Sequence, residues 1–129
     1  MIDECSQLVS FKVDCNFLTC LPPRIGYIKS LKVLSANKNR LHDMPESLIL
    51  SQVEELYLNH NLIERLPLNI GQMQFLKLLH IQSNPIISLP RSFNWLKATV
   101  KFDWLDYISS LEDIKYLCGQ TKNGMVNFL

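Results

Sequence analysis

The side chains best suited to chemistry are scattered along this 129-residue chain and do not converge on one motif. A nucleophilic cysteine needs a base within hydrogen-bonding reach, and no histidine lies near Cys15 in the sequence. A metal ion shared by His60 and His80 would require the two side chains to lie close together, and their positions in the repeat do not indicate this. His42 lies apart from both. The histidines and cysteines therefore predict neither a catalytic pair nor a metal site.

The acidic residues and glycines also fail to indicate catalysis. Glu54-Glu55 and Glu112-Asp113 are adjacent pairs typical of a solvated surface, whereas acid–base catalysis needs carboxylates placed across a cleft. A phosphate-binding loop needs clustered glycines. The glycines of this chain are isolated at Gly26, Gly71, Gly119 and Gly124. We therefore expect no enzyme activity and no cofactor.

The charge balance and the cysteines restrict the class of protein. Thirteen Lys plus Arg against twelve Asp plus Glu leave a net charge of +1, too small for a broad field that attracts nucleic acid or anionic membranes. No uninterrupted apolar run is long enough to span a bilayer. The first residues lack the features of a secretory signal, and there is no zinc-ligand spacing among the cysteines, which are Cys5, Cys15, Cys20 and Cys118. We expect reduced thiols in an intracellular, cytoplasmic protein.

A repeat of 22 or 23 residues organises the chain. It is marked by four asparagines with matching neighbours, namely Asn16, Asn39, Asn61 and Asn84. Each asparagine is preceded by an L-x-x-L-x-L pattern and followed by an aliphatic residue and then by Leu-Pro or Met-Pro. Internal repeats of this length are typical of stacked architectures.

The repeat predicts the elements that must position any functional side chain. The L-x-x-L-x-L segment has the period of two expected for a short strand with one buried face. The asparagine turns the chain inward, and its amide can pair with backbone groups that the bend leaves open. The proline ends the turn, and short 3₁₀ or α turns should form the return leg. Stacked units then form a parallel sheet and a ladder of four asparagines inside the core.

These motifs resemble the leucine-rich repeat family, and specifically its intracellular 23-residue subclass, over residues 8–98. The resemblance implies an α/β solenoid: a curved, right-handed stack of coils with a parallel sheet on the concave face and short turns on the convex side. The expected units are 8–30, 31–52, 53–75 and 76–98. The second unit departs from the pattern, because it has 22 residues and carries Ser47-Leu48-Ile49-Leu50 where the subclass has I-G-x-I.

The C-terminal part, residues 99–129, predicts a degenerate fifth repeat and a helical cap. Phe102 and Trp104 fall on the two buried strand positions, and Tyr107 replaces the asparagine. Ser110 resembles a helix N-cap with an acid three residues later. The helix that follows would cover the last coil with an apolar face of Leu111, Ile114, Leu117 and Cys118.

The N-terminal segment, residues 1–7, is long enough for only a partial cover of the first coil. An uncovered first strand would expose a sheet edge. Two explanations remain open: the chain is a piece of a longer repeat protein, or a partner covers this end. The second explanation predicts an end interface formed by Ile2, Cys5, Leu8 and Phe11.

The concave face is the other candidate interface, and the convex side is a further alternative. Its predicted protein-binding residues are Lys12, Asp14, Ser35, Asn37, Glu55, Tyr57, Asn59, His80, Gln82, Lys101 and Asp103. We expect a non-catalytic protein–protein interaction module, either a structural or scaffold subunit of a larger hetero-assembly or a reversible recognition module for a signalling protein. A small GTPase as the partner is implied by the subclass resemblance alone.

Overall fold

Five short strands stack in parallel, one from each repeat and in chain order. The computed structural model describes residues 7–101 and the backbone of 121–122 and 125–127. The second apolar residue of each repeat lies opposite its counterpart in the next, so that Phe11, Leu34, Leu56, Leu79 and Val100 form one row. The strands are β1 (Ser10–Lys12), β2 (Val33–Ser35), β3 (Glu55–Tyr57), β4 (Leu78–His80) and β5 (Thr99–Lys101).

The register of β5 differs from the sequence prediction by two residues. Val100, and not Phe102, lies opposite Leu79. The reason is that the chain becomes extended directly after the last return leg: Leu96, Ala98 and Val100 are buried in alternation with more exposed neighbours. The fourth unit is therefore shorter than the 23 residues assumed. Phe102, Trp104, Tyr107 and the predicted helix from Ser110 lie outside the described residues.

A C-terminal hairpin extends the sheet beyond β5. Its strands are β6 (Thr121–Lys122) and β7 (Met125–Asn127), and β7 pairs antiparallel with both β5 and β6. The described strands thus have the order β1-β2-β3-β4-β5-β7-β6. No sequence pattern predicted this pairing. It supplies partners for the edge of β5, which an unpaired parallel strand would leave open.

The core lies between the sheet and the return legs. One face of each strand contributes a buried aliphatic residue, and the aliphatic residue after each asparagine packs beneath it. Leu34, Leu56 and Leu79 are fully buried. The first coil is less well covered, because its Leu8, Phe11, Val13 and Leu18 are only partly buried against the core.

Within residues 7–101, four 3₁₀ turns form the side opposite the sheet: Ile25–Tyr27, Glu46–Leu50, Ile70–Gln72 and Arg91–Trp95. They pack in two close pairs. The backbone N–H of Gly26 donates to Ser47 Oγ at 2.9 Å, and that of Gly71 donates to Ser92 Oγ at 3.0 Å. A β-carbon on either glycine would lie 2.0 or 1.9 Å from the carbonyl oxygen of its partner serine. Only glycine permits so close an approach.

The first turn packs closely on the second and the third on the fourth, whereas the gap between the second and third turns is wider. The second turn carries Ile49 at the position where the first turn has Gly26, so the same close approach to the third turn cannot form. A surface cavity of about 280 Å³ lies there instead, lined by Ile49, Leu50, Ser51, Gln72, Gln74 and Phe75. The departure of the second unit from the I-G-x-I pattern therefore has a packing consequence.

Candidate functional site

Two rows of side chains cross the concave face, which we define as the sheet face opposite the core. The register places Ser10, Val33, Glu55, Leu78 and Thr99 in the first row. It places Lys12, Ser35, Tyr57, His80 and Lys101 in the second row. Ser10 and Lys12 are exposed, whereas all six residues of β3 to β5 in these rows are half-buried. The central strands thus present the best-packed part of this face.

Ser35 departs from its predicted role, because it is only 5% exposed. Its hydroxyl donates to Asp14 Oδ1 at 2.7 Å. Such a small side chain lies below the level of the larger side chains on either side of it, Lys12 and Tyr57. Ser35 therefore stabilises the sheet and has little surface for a partner. The predicted site residue Asp103 lies outside the described residues.

A row of acidic and amide side chains joins the coils just beyond the strands. Asp14 Oδ1 accepts from the N–H of Asn37 at 2.6 Å, and Asn37 Oδ1 accepts from the N–H of Asn59 at 2.7 Å. Asn59 Oδ1 continues the series by accepting from the N–H of Gln82 at 2.7 Å. Sequence reasoning assigned these residues to partner binding and missed their structural role. The missed signal was their spacing, which repeats that of the asparagine ladder two positions earlier.

The residue after each member of this row adopts a left-handed backbone conformation. Cys15, Lys38, His60 and Ser83 have φ between 57° and 59°. The side chains flanking this turn hold it, since Asn61 Nδ2 donates to Asn59 O and Asn84 Nδ2 donates to Gln82 O. His60 therefore lies at the rim of the sheet, while His80 lies within it.

The asparagine ladder consists of Asn39, Asn61 and Asn84, each at most 7% exposed. Each accepts a hydrogen bond from the preceding coil, as Asn61 Oδ1 does from the N–H of Leu41 at 3.0 Å. Each also donates to a carbonyl of the preceding coil, as Asn84 Nδ2 does to Leu58 O at 2.8 Å. Asn16 in the first coil is exposed, and among the described residues it bonds only to Val13 O and Asp14 O of its own turn. Three asparagines, and not the predicted four, therefore lie in the core.

Glu55, Tyr57 and His80 form a contact cluster at the centre of the concave face. The Tyr57 hydroxyl donates to Glu55 Oε1 at 2.5 Å. The rings of Tyr57 and His80 meet edge to face, with centroids 4.8 Å apart and planes at 84°. The hydrogen bond to Glu55, followed by burial and by the charge of Glu55, raises the pKa of Tyr57 above 10.0. Tyr57 is therefore a neutral donor and a held aromatic surface at physiological pH.

Burial and the nearby Lys101 lower the pKa of His80 below its ordinary value of 6.5, although Glu55 opposes the shift. The pKa of His80 is therefore lower in the native state than in the unfolded chain. As the pH falls, His80 is protonated in the unfolded chain at a higher pH than in the native state. The stability associated with neutral His80 is present above about pH 6.5 and is lost as the pH falls through the lowered pKa.

We expect His80→Gln to lose less stability than the wild type between about pH 7.5 and pH 5, because it removes this titration. Urea denaturation at several pH values measures the difference. The imidazole proton shifts of His80 should titrate below pH 6.5, and Lys101→Met should raise that midpoint. A midpoint that Lys101→Met leaves unchanged contradicts the contribution assigned to Lys101 and leaves burial as the cause of the lowered pKa.

The remaining candidate groups are dispersed. Cys15 and Cys20 are exposed free thiols, and His42 is exposed in an irregular segment before the second 3₁₀ turn. Within the described residues there is no group of three or more His, Cys, Asp or Glu side chains that could hold a metal ion. The same part of the chain contains no helix long and apolar enough to cross a membrane.

The predicted end interface is described only in part. Leu8 and Phe11 are partly buried against the core, while Ile2 and Cys5 lie outside the described residues. Large apolar side chains are also exposed on the first coil, with Val9 54% and Phe17 76% exposed. Arg40 lies over the ring of Phe17 at 4.7 Å. This end of the stack is less buried than the middle.

Comparison with known proteins identifies the fold. No protein-family model and no curated protein sequence matches the chain. A solved structure of a leucine-rich repeat protein from Leptospira interrogans matches with a TM-score of 0.76 and 31% sequence identity. The match covers 90% of this chain and 30% of that protein, so this chain spans less than a third of its relative's length. Together with the parallel strand stack, the buried asparagines and the 3₁₀ return legs, this match supports assignment to the leucine-rich repeat family and shows that the chain folds as a leucine-rich repeat solenoid.

Proposed function

We propose that the chain is a non-catalytic protein–protein interaction module that binds its partner through the centre of the concave face. The observation that carries the proposal is the Tyr57–His80 contact, in which two rings are held edge to face on adjacent strands. Aromatic side chains that are already held in place lose little conformational entropy on binding, and tyrosine is frequent at binding hot spots. Uncharged His80 adds a donor and an acceptor without the cost of burying a charge.

The residues around Tyr57 and His80 favour this part of the concave face as the binding site over the rest of the face. The oxygens of Asp14, Asn37 and Asn59 already accept backbone hydrogen bonds, and Ser35 is buried. Val33, Glu55 and Leu78 are half-buried beside the pair. The region thus has apolar and aromatic side chains around one carboxylate, and polar side chains at its rim, a distribution related to the apolar centre and polar rim of many protein interfaces.

We further propose that the partner is a different protein and that the chain serves as a structural or scaffold subunit of a hetero-assembly. The partly buried first coil supports this, since Leu8 and Phe11 would gain burial beneath another polypeptide. The intracellular location stays a prediction from the N-terminal residues and the cysteines, and the 23-residue subclass and a small GTPase as a reversible partner stay predictions from the sequence resemblance.

The proposal is tested with the double variant Tyr57→Ala/His80→Ala. We expect it to weaken binding to a co-purified partner by about thirtyfold or more, since truncating a hot spot costs about 2 kcal/mol or more. Binding is measured by surface plasmon resonance with the purified full chain and the partner identified by native co-purification and mass spectrometry. Circular dichroism should show that the variant keeps the native fold, because both side chains are only half-buried.

Leu50→Ala is the matched control, because Leu50 is 69% exposed on the opposite side of the stack. It should leave the affinity within about twofold of the wild type. If Leu50→Ala weakens binding and the double variant does not, the partner binds the convex side and the proposed site is wrong.

A further inference from the structure

We propose that Glu55 is the anchor for an arginine side chain of the partner, so that the concave face recognises a polypeptide segment carrying one basic residue between apolar residues. This inference rests on the proposed function and specifies the chemistry of its partner. It follows from the position of one half-buried carboxylate on the sheet and from what surrounds that carboxylate.

Glu55 lies between two aliphatic side chains on the concave face. The register pairs it with Val33 on β2 and with Leu78 on β4. All three residues are half-buried. Neighbouring strands in a sheet are about 4.8 Å apart, so each aliphatic side chain lies directly beside the carboxylate. The low polarity of these neighbours strengthens any charge interaction made there.

The carboxylate of Glu55 has unused hydrogen-bonding capacity. A carboxylate offers about four lone-pair positions, and the Tyr57 hydroxyl donates to Oε1. Among residues 7–101, the ion pairs found within 4.0 Å involve Glu54 and not Glu55. Within the described part of the chain, Glu55 is thus a charge on the binding face with a neutral donor and with no cation within 4.0 Å, although the charge of Lys77 acts on it from farther away.

The neighbouring residue Glu54 shows the contrasting arrangement. Its carboxylate contacts Lys77 Nζ at 2.9 Å and Lys32 Nζ at 3.8 Å. The hydrogen bond and the charge of Lys77 lower the pKa of Glu54 below its ordinary value. Two adjacent carboxylates thus have different environments: Glu54 joins three coils through lysines, whereas Glu55 faces the concave side. This difference provides a matched control of the same residue type.

Arginine fits the surroundings of Glu55 better than lysine does. Its planar guanidinium donates two parallel hydrogen bonds to a carboxylate and stacks on aromatic rings, and the ring of Tyr57 lies beside the carboxylate. Its aliphatic stem can pack on Val33 or Leu78 while the charged end reaches Glu55. Glu55 is the single carboxylate in the two rows of the described concave face, so the complementary segment carries one basic residue.

The test uses peptide probes with the full chain at low ionic strength. The probes are acetyl-Leu-Arg-Leu-amide, the same peptide with citrulline, which is the uncharged isostere of arginine, and the same peptide with glutamate. We expect the arginine peptide to shift the backbone amide signals of Val33, Glu55, Tyr57 and Leu78 in nuclear magnetic resonance titrations. The citrulline and glutamate peptides should bind about fivefold more weakly or not at all, since a partly exposed charge pair contributes about 1 kcal/mol.

Two variants locate the interaction. Glu55→Gln should reduce the affinity for the arginine peptide to that of the citrulline peptide, whereas Glu54→Gln should leave it within about twofold. Equal binding of the arginine and glutamate peptides, or an affinity unaffected by Glu55→Gln, overturns the inference.

The natural partner separates this inference from the proposed function. Loss of affinity in both Glu55→Gln and Tyr57→Ala/His80→Ala supports both proposals. If only the aromatic double variant loses affinity, the face binds the partner without an anchoring cation and the inference is wrong. If neither variant loses affinity, the concave site itself is wrong.

Discussion

Replacing Asn61 with alanine should lower the free energy of unfolding by about 3 kcal/mol or more. Asn61 lies in the middle of the stack and is 5% exposed. Its Nδ2 donates to Ala36 O at 2.9 Å, and its Oδ1 accepts from the N–H of Leu41 at 3.0 Å. The same amide also donates to Leu58 O and Asn59 O within its own coil.

The expected effect is large because alanine leaves buried backbone groups without partners. Each buried group that loses its hydrogen bond costs about 1–3 kcal/mol, and water cannot readily replace the amide within the stack. Alanine also removes atoms from a close-packed interior. The loss weakens the contact between the second and third coils, on which a linear stack of repeats depends.

Asn16→Ala is the matched control, since it removes the same amide from the same position of the first repeat. Asn16 is exposed and, within residues 7–101, donates only to Val13 O and Asp14 O. Water can take over those bonds, so we expect a loss below about 1 kcal/mol. Urea denaturation followed by circular dichroism measures both variants. Equal losses in the two variants would show that coil-to-coil bonding is not the source of the effect.

The second large effect is expected for Gly71→Ala, which should destabilise the chain by about 3 kcal/mol. The new β-carbon would lie 1.9 Å from the carbonyl oxygen of Ser92. That oxygen belongs to the backbone of the next 3₁₀ turn, so the clash cannot be relieved by rotating a side chain. The turns must separate, which also breaks the hydrogen bond from the Gly71 N–H to Ser92 Oγ at 3.0 Å.

Gln72→Ala provides the comparison, because Gln72 lies in the same turn and is exposed. It should change the unfolding free energy by less than about 0.5 kcal/mol. Gly26→Ala should reproduce the Gly71→Ala effect, since its β-carbon would lie 2.0 Å from Ser47 O. A stable Gly71→Ala variant with an unchanged denaturation midpoint would contradict the assigned packing of the turns.

Local periodicity predicted the elements whose burial pattern is set within a single repeat. The L-x-x-L-x-L pattern predicts β1 to β4 because burial of one strand face requires an apolar residue at every second position. The fifth strand was shifted by two residues, since Phe102 and Trp104 match the apolar pattern as well as Val100 does. Local pattern alone does not distinguish these alternatives, because the pairing with β4 selects among them.

The candidate site was predicted less well than the fold. Lys12, Asp14, Ser35 and Asn37 occupy equivalent types of position on the concave side, yet they differ in burial and bonding. Asp14 and Asn37 accept backbone hydrogen bonds from the next coil, and Ser35 is covered by its neighbours. Which side chains remain for a partner depends on contacts between coils, and these join residues more than twenty positions apart.

The sequence by itself determined the solenoid, the strand positions and the turning asparagines, because each follows from a pattern that one coil must satisfy to bury its apolar face. The tertiary structure decided which asparagines are buried, where β5 pairs, that the turns pack in glycine–serine pairs and that the C-terminal hairpin extends the sheet. It also brought Glu55, Tyr57 and His80 into contact. These outcomes depend on the distance between adjacent coils and on the ends of the stack. The sequence of a single repeat specifies neither.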